Sequence, residues 1–157
     1  MGVALVAPQT EAKLVKEVEP LRFFLGSWHG EGKFANGKPI QAGVTFKADL
    51  DGQWVAYRHD DVAPNVYHAS TMWGFDPDTK ALRAVTFDNF GGQWSFASPG
   101  WVDGSMTWTN ETKKNGQTSL SHFIFRRVDE NSFQMSYEVQ VKDKWLPVDS
   151  LVFKRIV

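Results

Sequence analysis

Hydrophobic and polar residues alternate along most of this chain with the two-residue period of a half-buried strand. The clearest run is 40–50, where Val44, Phe46, Ala48 and Leu50 alternate with Gly43, Thr45, Lys47 and Asp49. Turn-forming groups interrupt the pattern at short intervals: Asn36-Gly37, Asp51-Gly52, Asp76-Pro77-Asp78-Thr79, Pro99-Gly100, Asp103-Gly104 and Asn115-Gly116. The interruptions divide the chain into about nine or ten strands, over 28–35, 40–50, 53–60, 66–75, 81–87, 93–98, 105–110, 117–127, 132–141 and 145–155. One segment has a different period. From Glu11 to Arg22, Leu14, Val15, Val18 and Leu21 form a stripe that fits a short helix with Thr10 as its N-cap. Pro20 cannot donate and crowds the preceding turn, so that helix is predicted to end near Val18, with Leu21 to Leu25 as a separate turn.

Short strands, tight turns and no second helix predict an all-β fold, an antiparallel up-and-down barrel with the helix at one end. Closure removes the exposed edges of such a sheet. Residues 1–10 read as a flexible arm and 11–157 as a single barrel domain, with no linker, repeat or low-complexity tract. Gly26, Gly30 and Gly32 surround Trp28 in the first strand. Glycine suits a strand that bends or meets another backbone closely, and Trp28 can then fold over the barrel end as a plug.

Composition narrows the function classes. Seven Trp, twelve Phe and three Tyr exceed what a small sandwich core requires, and fit a wide interior lined with aromatic rings. A net charge of −1 and a pI near 6.4 give no electrostatic reason to expect nucleic acid. The absence of Cys excludes disulfides, thiolate metal sites and a cysteine nucleophile, without fixing the compartment. No apolar run approaches the roughly 20 residues of a membrane helix. Met1 to Pro8 lacks the basic start and long apolar stretch of a signal peptide. A cytoplasmic location is favoured; export after removal of a signal, and a homodimer, both stay open.

By alternation within each strand, Trp54, Trp73, Trp94, Trp108 and Tyr137 look inward. Arg58 shares a face with Trp54 and Ala56, opposite Tyr57 and His59, and a buried guanidinium would anchor a ligand carboxylate. His122 shares a face with Leu120 and Ile124, while Phe123 and Phe125 claim the other, so its direction is undecided. Arg126 reads as a solvated strand end. These seven residues, Trp54, Arg58, Trp73, Trp94, Trp108, His122 and Tyr137, are the expected ligand-binding set. His59-Asp60-Asp61 is the densest cluster of metal-ligating types, but neighbours on a strand face opposite ways, so no metal is expected and the cluster reads as a strand end facing water. No nucleophile elbow, phosphate loop or dinucleotide fingerprint occurs. The leading expectation is a barrel that binds a small apolar or amphipathic molecule without a cofactor. An enzyme moving a proton or hydrolysing a bond with His122 or Glu138 is the alternative, and a barrel filled by its own aromatic rings is the third reading.

Leu-Gly-Ser-Trp-His-Gly-Glu-Gly at 25–32, Leu-Asp-Gly-Gln-Trp at 50–54, Gly-Phe-Asp-Pro-Asp-Thr at 74–79 and Phe-Asp-Asn-Phe-Gly-Gly at 87–92 occur in that order. With Trp-Val-Asp-Gly at 101–104 and Phe-Lys-Arg at 153–155, they resemble a bacterial family known as domain of unknown function 1579. The resemblance covers Leu21 to the C-terminus and implies a calycin-like barrel, related in shape to lipocalins and fatty-acid-binding proteins. Its motifs build turns and corners and carry no chemistry. The glycine-rich opening is also similar to that of the nitrobindins, barrels that hold haem through a His on their last strand. Here 145–155 contains no His, and Lys33 to Lys38 replaces the apolar segment that follows the glycines, so haem is not expected.

Overall fold

A computed structural model describes residues 12–157. The predicted arm, Thr10 and Glu11 lie outside the described residues. The strands are β1 (Gly26–Phe34), β2 (Pro39–Asp49), β3 (Trp54–Asp61), β4 (His68–Asp76), β5 (Ala81–Asp88) and β6 (Gln93–Ser98), followed by β7 (Trp101–Val102), β8 (Ser105–Lys114), β9 (Gln117–Asp129), β10 (Ser132–Val141) and β11 (Lys144–Arg155). From β1 to β6 and from β7 to β11 each strand pairs antiparallel with its neighbours in sequence, and β1 also pairs with β11. A pairing of β6 with β8 completes a closed ten-strand barrel, leaving the two-residue β7 as a side branch on β8. That seam is the thinnest in the sheet: one ladder pair, Ala97 with Thr109, and a side-chain bond from Asn110 Nδ2 to the Ser95 carbonyl at 2.7 Å. The architecture is the expected one, and consistent with a calycin-like barrel.

The N-terminal segment differs from expectation in type and extent. Lys16–Phe24 is a single 3-10 helix that runs through Pro20. Its buried residues, Val18, Leu21 and Phe24, recur every three positions, the period at which a 3-10 helix stacks side chains on one face. That apolar face is pressed against the barrel end, and the packing outweighs the donor that Pro20 removes. The backbone N–H of Val15 donates to the Gly52 carbonyl at 3.0 Å, which ties the segment to the turn between β2 and β3.

Trp28 closes this end. It is fully buried, and its indole N–H donates to the Phe24 carbonyl at 2.8 Å. The Phe133 ring meets it edge-on, with centroids 4.8 Å apart, and the Arg155 guanidinium lies 4.1 Å from its ring centre. Arg155 also donates to the carbonyls of Leu25, Phe23 and Glu130, so one side chain gathers the end of the 3-10 segment and the turn after β9. The glycines around Trp28 serve close approach. A Cβ on Gly32 would lie 1.8 Å from the Ser150 carbonyl oxygen of β11, and one on Gly30 would enter the ring of Phe153.

Replacing Trp28 with Ala is expected to cost roughly 3–5 kcal/mol of stability in a urea titration, the range for large aromatic truncations in cores. A loss below about 1 kcal/mol would show that Trp28 does not close the barrel.

Candidate functional site

Aromatic rings fill the half of the barrel next to the 3-10 segment. Phe24 packs within 5.5 Å, ring centre to ring centre, of Phe46, Trp73, Phe125 and Phe133. Trp73 stacks on Trp108 at 4.7 Å and forms a floor. Beyond that floor the inward positions of β4 and β5 carry small side chains, Ala69, Thr71, Ala84 and Thr86, and small side chains leave space. The result is a cavity of about 560 Å³. Its mouth is framed by Val66, Phe90 and Trp94, each more than 40% exposed. Thr71 and Thr86 hydroxyls satisfy each other at 2.8 Å.

A line of polar side chains enters this apolar space from β3. Trp28 pairs with Val44, and Val44 with His59, so the inward direction of Trp28 passes across two strands to His59. Tyr57 and Asp61 follow at the two-residue period. His59 and Asp61 are 7% and 8% exposed, and their Nε2···Oδ1 distance is 2.7 Å. With Nε2–H donated to Asp61, Nδ1 is left to accept the Tyr57 hydroxyl at 3.4 Å. Burial pushes the Tyr57 phenol well above its usual range and that of Tyr67 up to about 12.

Asp149 of β11 joins them on the cavity wall. Its Oδ1 is buried and has no partner among the described residues. Burial pushes its carboxyl up to about 6, His59 pulling the other way and Asp61 adding to the rise. A third wall carboxylate, Asp88, is committed to the fold, accepting from the N–H groups of Phe90 and Gly92 and from Trp94 Nε1. No Lys or Arg lines the cavity among the described residues.

Of the seven residues expected to bind ligand, the structure brings Trp73, Trp94, Trp108 and Tyr137 onto the cavity wall. Trp54, Arg58 and His122 lie on the outer face. Trp54 lies across Gly74 beneath the Arg83 guanidinium, 5.1 Å from its ring centre. Arg58 is half exposed, paired with Asp60 at 2.9 Å and donating to Ser70. His122 stacks on Trp145 with centroids 3.9 Å apart and meets Glu138 at 2.9 Å, so neither His122 nor Glu138 reaches the interior. The reason is common to β3 and β9: both faces carry apolar residues, so alternation gives the period without the phase.

His59 and Asp61, expected at a strand end facing water, are buried instead, while Asp60 faces out toward Arg58 and His68. Tyr57, His59, Asp61 and Asp149 are therefore the residues that strand-by-strand reading misses. The signal for the first three is the Asp51-Gly52 turn, whose register sets Val44 opposite His59. Among the described residues, no group of three His, Cys, Asp or Glu is arranged to hold a metal. β11 carries no His, and both ring nitrogens of His59 are engaged within the protein.

The Asp149 shift has a sign that can be measured. Its folded-state pKa of about 6 lies above the usual 3.8, so the native state holds this proton more tightly than the unfolded chain. Stability therefore falls as pH rises from near 4 to above 6. Asp149→Asn removes that dependence and is expected to stabilise the protein by on the order of 1–2 kcal/mol near pH 8, with little effect near pH 4. Equal destabilisation at both pH values would mean that the fold itself uses this carboxylate.

Comparison of the chain with protein-family models gives no match, and no curated protein matches it at a significant level, so the site stands on its own geometry.

Proposed function

We propose that this protein is a binding barrel for a small apolar or amphipathic molecule. The observation that carries the reading is the cavity of about 560 Å³ beyond the Trp73–Trp108 floor, with an apolar mouth at Val66, Phe90 and Trp94. A volume in this range is typical of sites that enclose small ligands, as is an apolar wall with a few convergent polar groups. A ligand of two fused rings that buries about 200 Å² of apolar surface gains roughly 5 kcal/mol before ordering costs. The resemblance to the calycin-like family supports the same reading as fold-level analogy, and we extend the proposal to membership of that family.

An enzyme in the same cavity is a second reading, favoured by one observation. Asp61 fixes the ring of His59, whose Nδ1 accepts from the Tyr57 hydroxyl, so the imidazole could draw a proton from a bound molecule through Tyr57. Turnover abolished by Asp61→Asn, with ligand binding retained, would separate it from a binding role.

The neutral fluorophore N-phenyl-naphthylamine is expected to bind one per barrel, gain emission and quench tryptophan. Ala69→Phe and Ala84→Phe place a ring in the cavity and are expected to weaken binding by more than tenfold. Arg58→Met, on the outer face, should change it by less than about twofold. No binding by the native protein, or equal binding by the filled variants, would remove the cavity from consideration.

A further inference from the structure

The cavity wall is chemically one-sided. It holds the Asp61–His59 pair, a second carboxylate at Asp149, and no lysine or arginine among the described residues. Asp61 has His59 as its partner, and Asp88 accepts from two backbone N–H groups and the Trp94 indole. Asp149 Oδ1 has neither. A second unsatisfied group lies on the same wall: Trp108 is 1% exposed, and its indole N–H has no partner among the described residues. A buried acceptor and a buried donor, each without a partner, cost the fold free energy.

We propose that the cavity selects ligands with an aromatic or aliphatic body and a protonated amine, the ammonium seated on Asp149. The inference rests on the binding-barrel reading above and deepens it. The body would lie on the Trp73–Trp108 floor, and the ammonium would meet the Asp149 carboxylate from the cavity side. Charge makes the selection. An ammonium–carboxylate contact in a low-dielectric cavity is worth far more than in water, whereas a carboxylate ligand would face Asp61 and Asp149 with no lysine or arginine to relieve it. This reverses the preference for acidic ligands expected from an inward Arg58, which the structure places outside.

The groups that face Asp149 are His59, Asp61 and Tyr57 of β3, Tyr67 of the β3–β4 connection and Tyr137 of β10. Below its transition near pH 6, Asp149 is protonated and cannot hold the ammonium by charge. Amine binding should therefore tighten as pH rises through this transition.

The test uses three probes of one shape: naphthylmethylamine, naphthylmethanol and naphthylacetic acid, titrated by calorimetry into the full chain. The expected order near pH 7.5 is amine, then alcohol, then acid, with about tenfold or more between amine and alcohol. Amine affinity should fall roughly tenfold between about pH 7.5 and pH 5, while alcohol affinity stays level. Asp149→Asn should bring the amine to the level of the alcohol and leave the alcohol unchanged. The pH series on the native protein gives the same answer if that variant does not fold. Alcohol binding with the acid equal to or above the amine would overturn the charge selection and leave the binding barrel standing. Failure of all three probes to bind at about 1 mM would overturn both.

Discussion

The direction of one side chain, Trp28, sets the inside of this barrel. A ring of that size can be buried at a barrel end only if the end is built around it, and here Phe133, the Phe24 carbonyl and the Arg155 guanidinium enclose it. Once Trp28 faces inward, residues paired with it across the sheet face inward too, because cross-strand partners share a face. Val44, His59 and Ala69 form that succession over β2, β3 and β4. Toward the other edge of β1, Arg155 is the partner of Trp28 and supplies the cation over its ring.

The same succession divides the interior. Near Trp28 the interior is filled by Phe24, Phe46, Phe125, Phe133 and Trp73, packed ring against ring. Toward the opposite end the inward positions carry Ala, Thr, Tyr, His and Asp, and room remains. The filled half supplies the apolar burial that holds the fold; the open half contributes less and bears the cost of Asp149 and Trp108. Asp149 lines that open half, so a molecule that enters it meets the carboxylate.

Much of this was legible in the sequence, because local rules govern it. Strand number, hairpin positions and the all-β class follow from alternation and from turn pairs such as Asn115-Gly116, where both residues take positive φ, the conformation a tight hairpin requires. The glycines around Trp28 were legible as sites of close approach. The phase of β3 and β9 was legible only across strands. The Asp51-Gly52 turn aligns Val44 with His59, and the Asn115-Gly116 turn aligns Trp108 with Phe123, which sends His122 outward. Within a single strand, Trp54 and Ala56 against Val55 and Tyr57 offer no choice.

Asp149 belonged to the tertiary structure alone. The turn at Lys142 and Asp143 pairs Val141 with Lys144, and that register continued would set Tyr137 opposite Val148. A bulge between Tyr137 and Glu138, beside Pro147, shifts the pairing by one residue and sets Tyr137 opposite Asp149. A one-residue shift exchanges the faces of everything beyond it, and Pro147 favours the break because it has no N–H to give the ladder. Period and turn are properties of neighbouring residues, so the sequence determined the barrel. Which carboxylate entered it depended on where two distant strands slipped past each other, and that was decided only when the barrel closed.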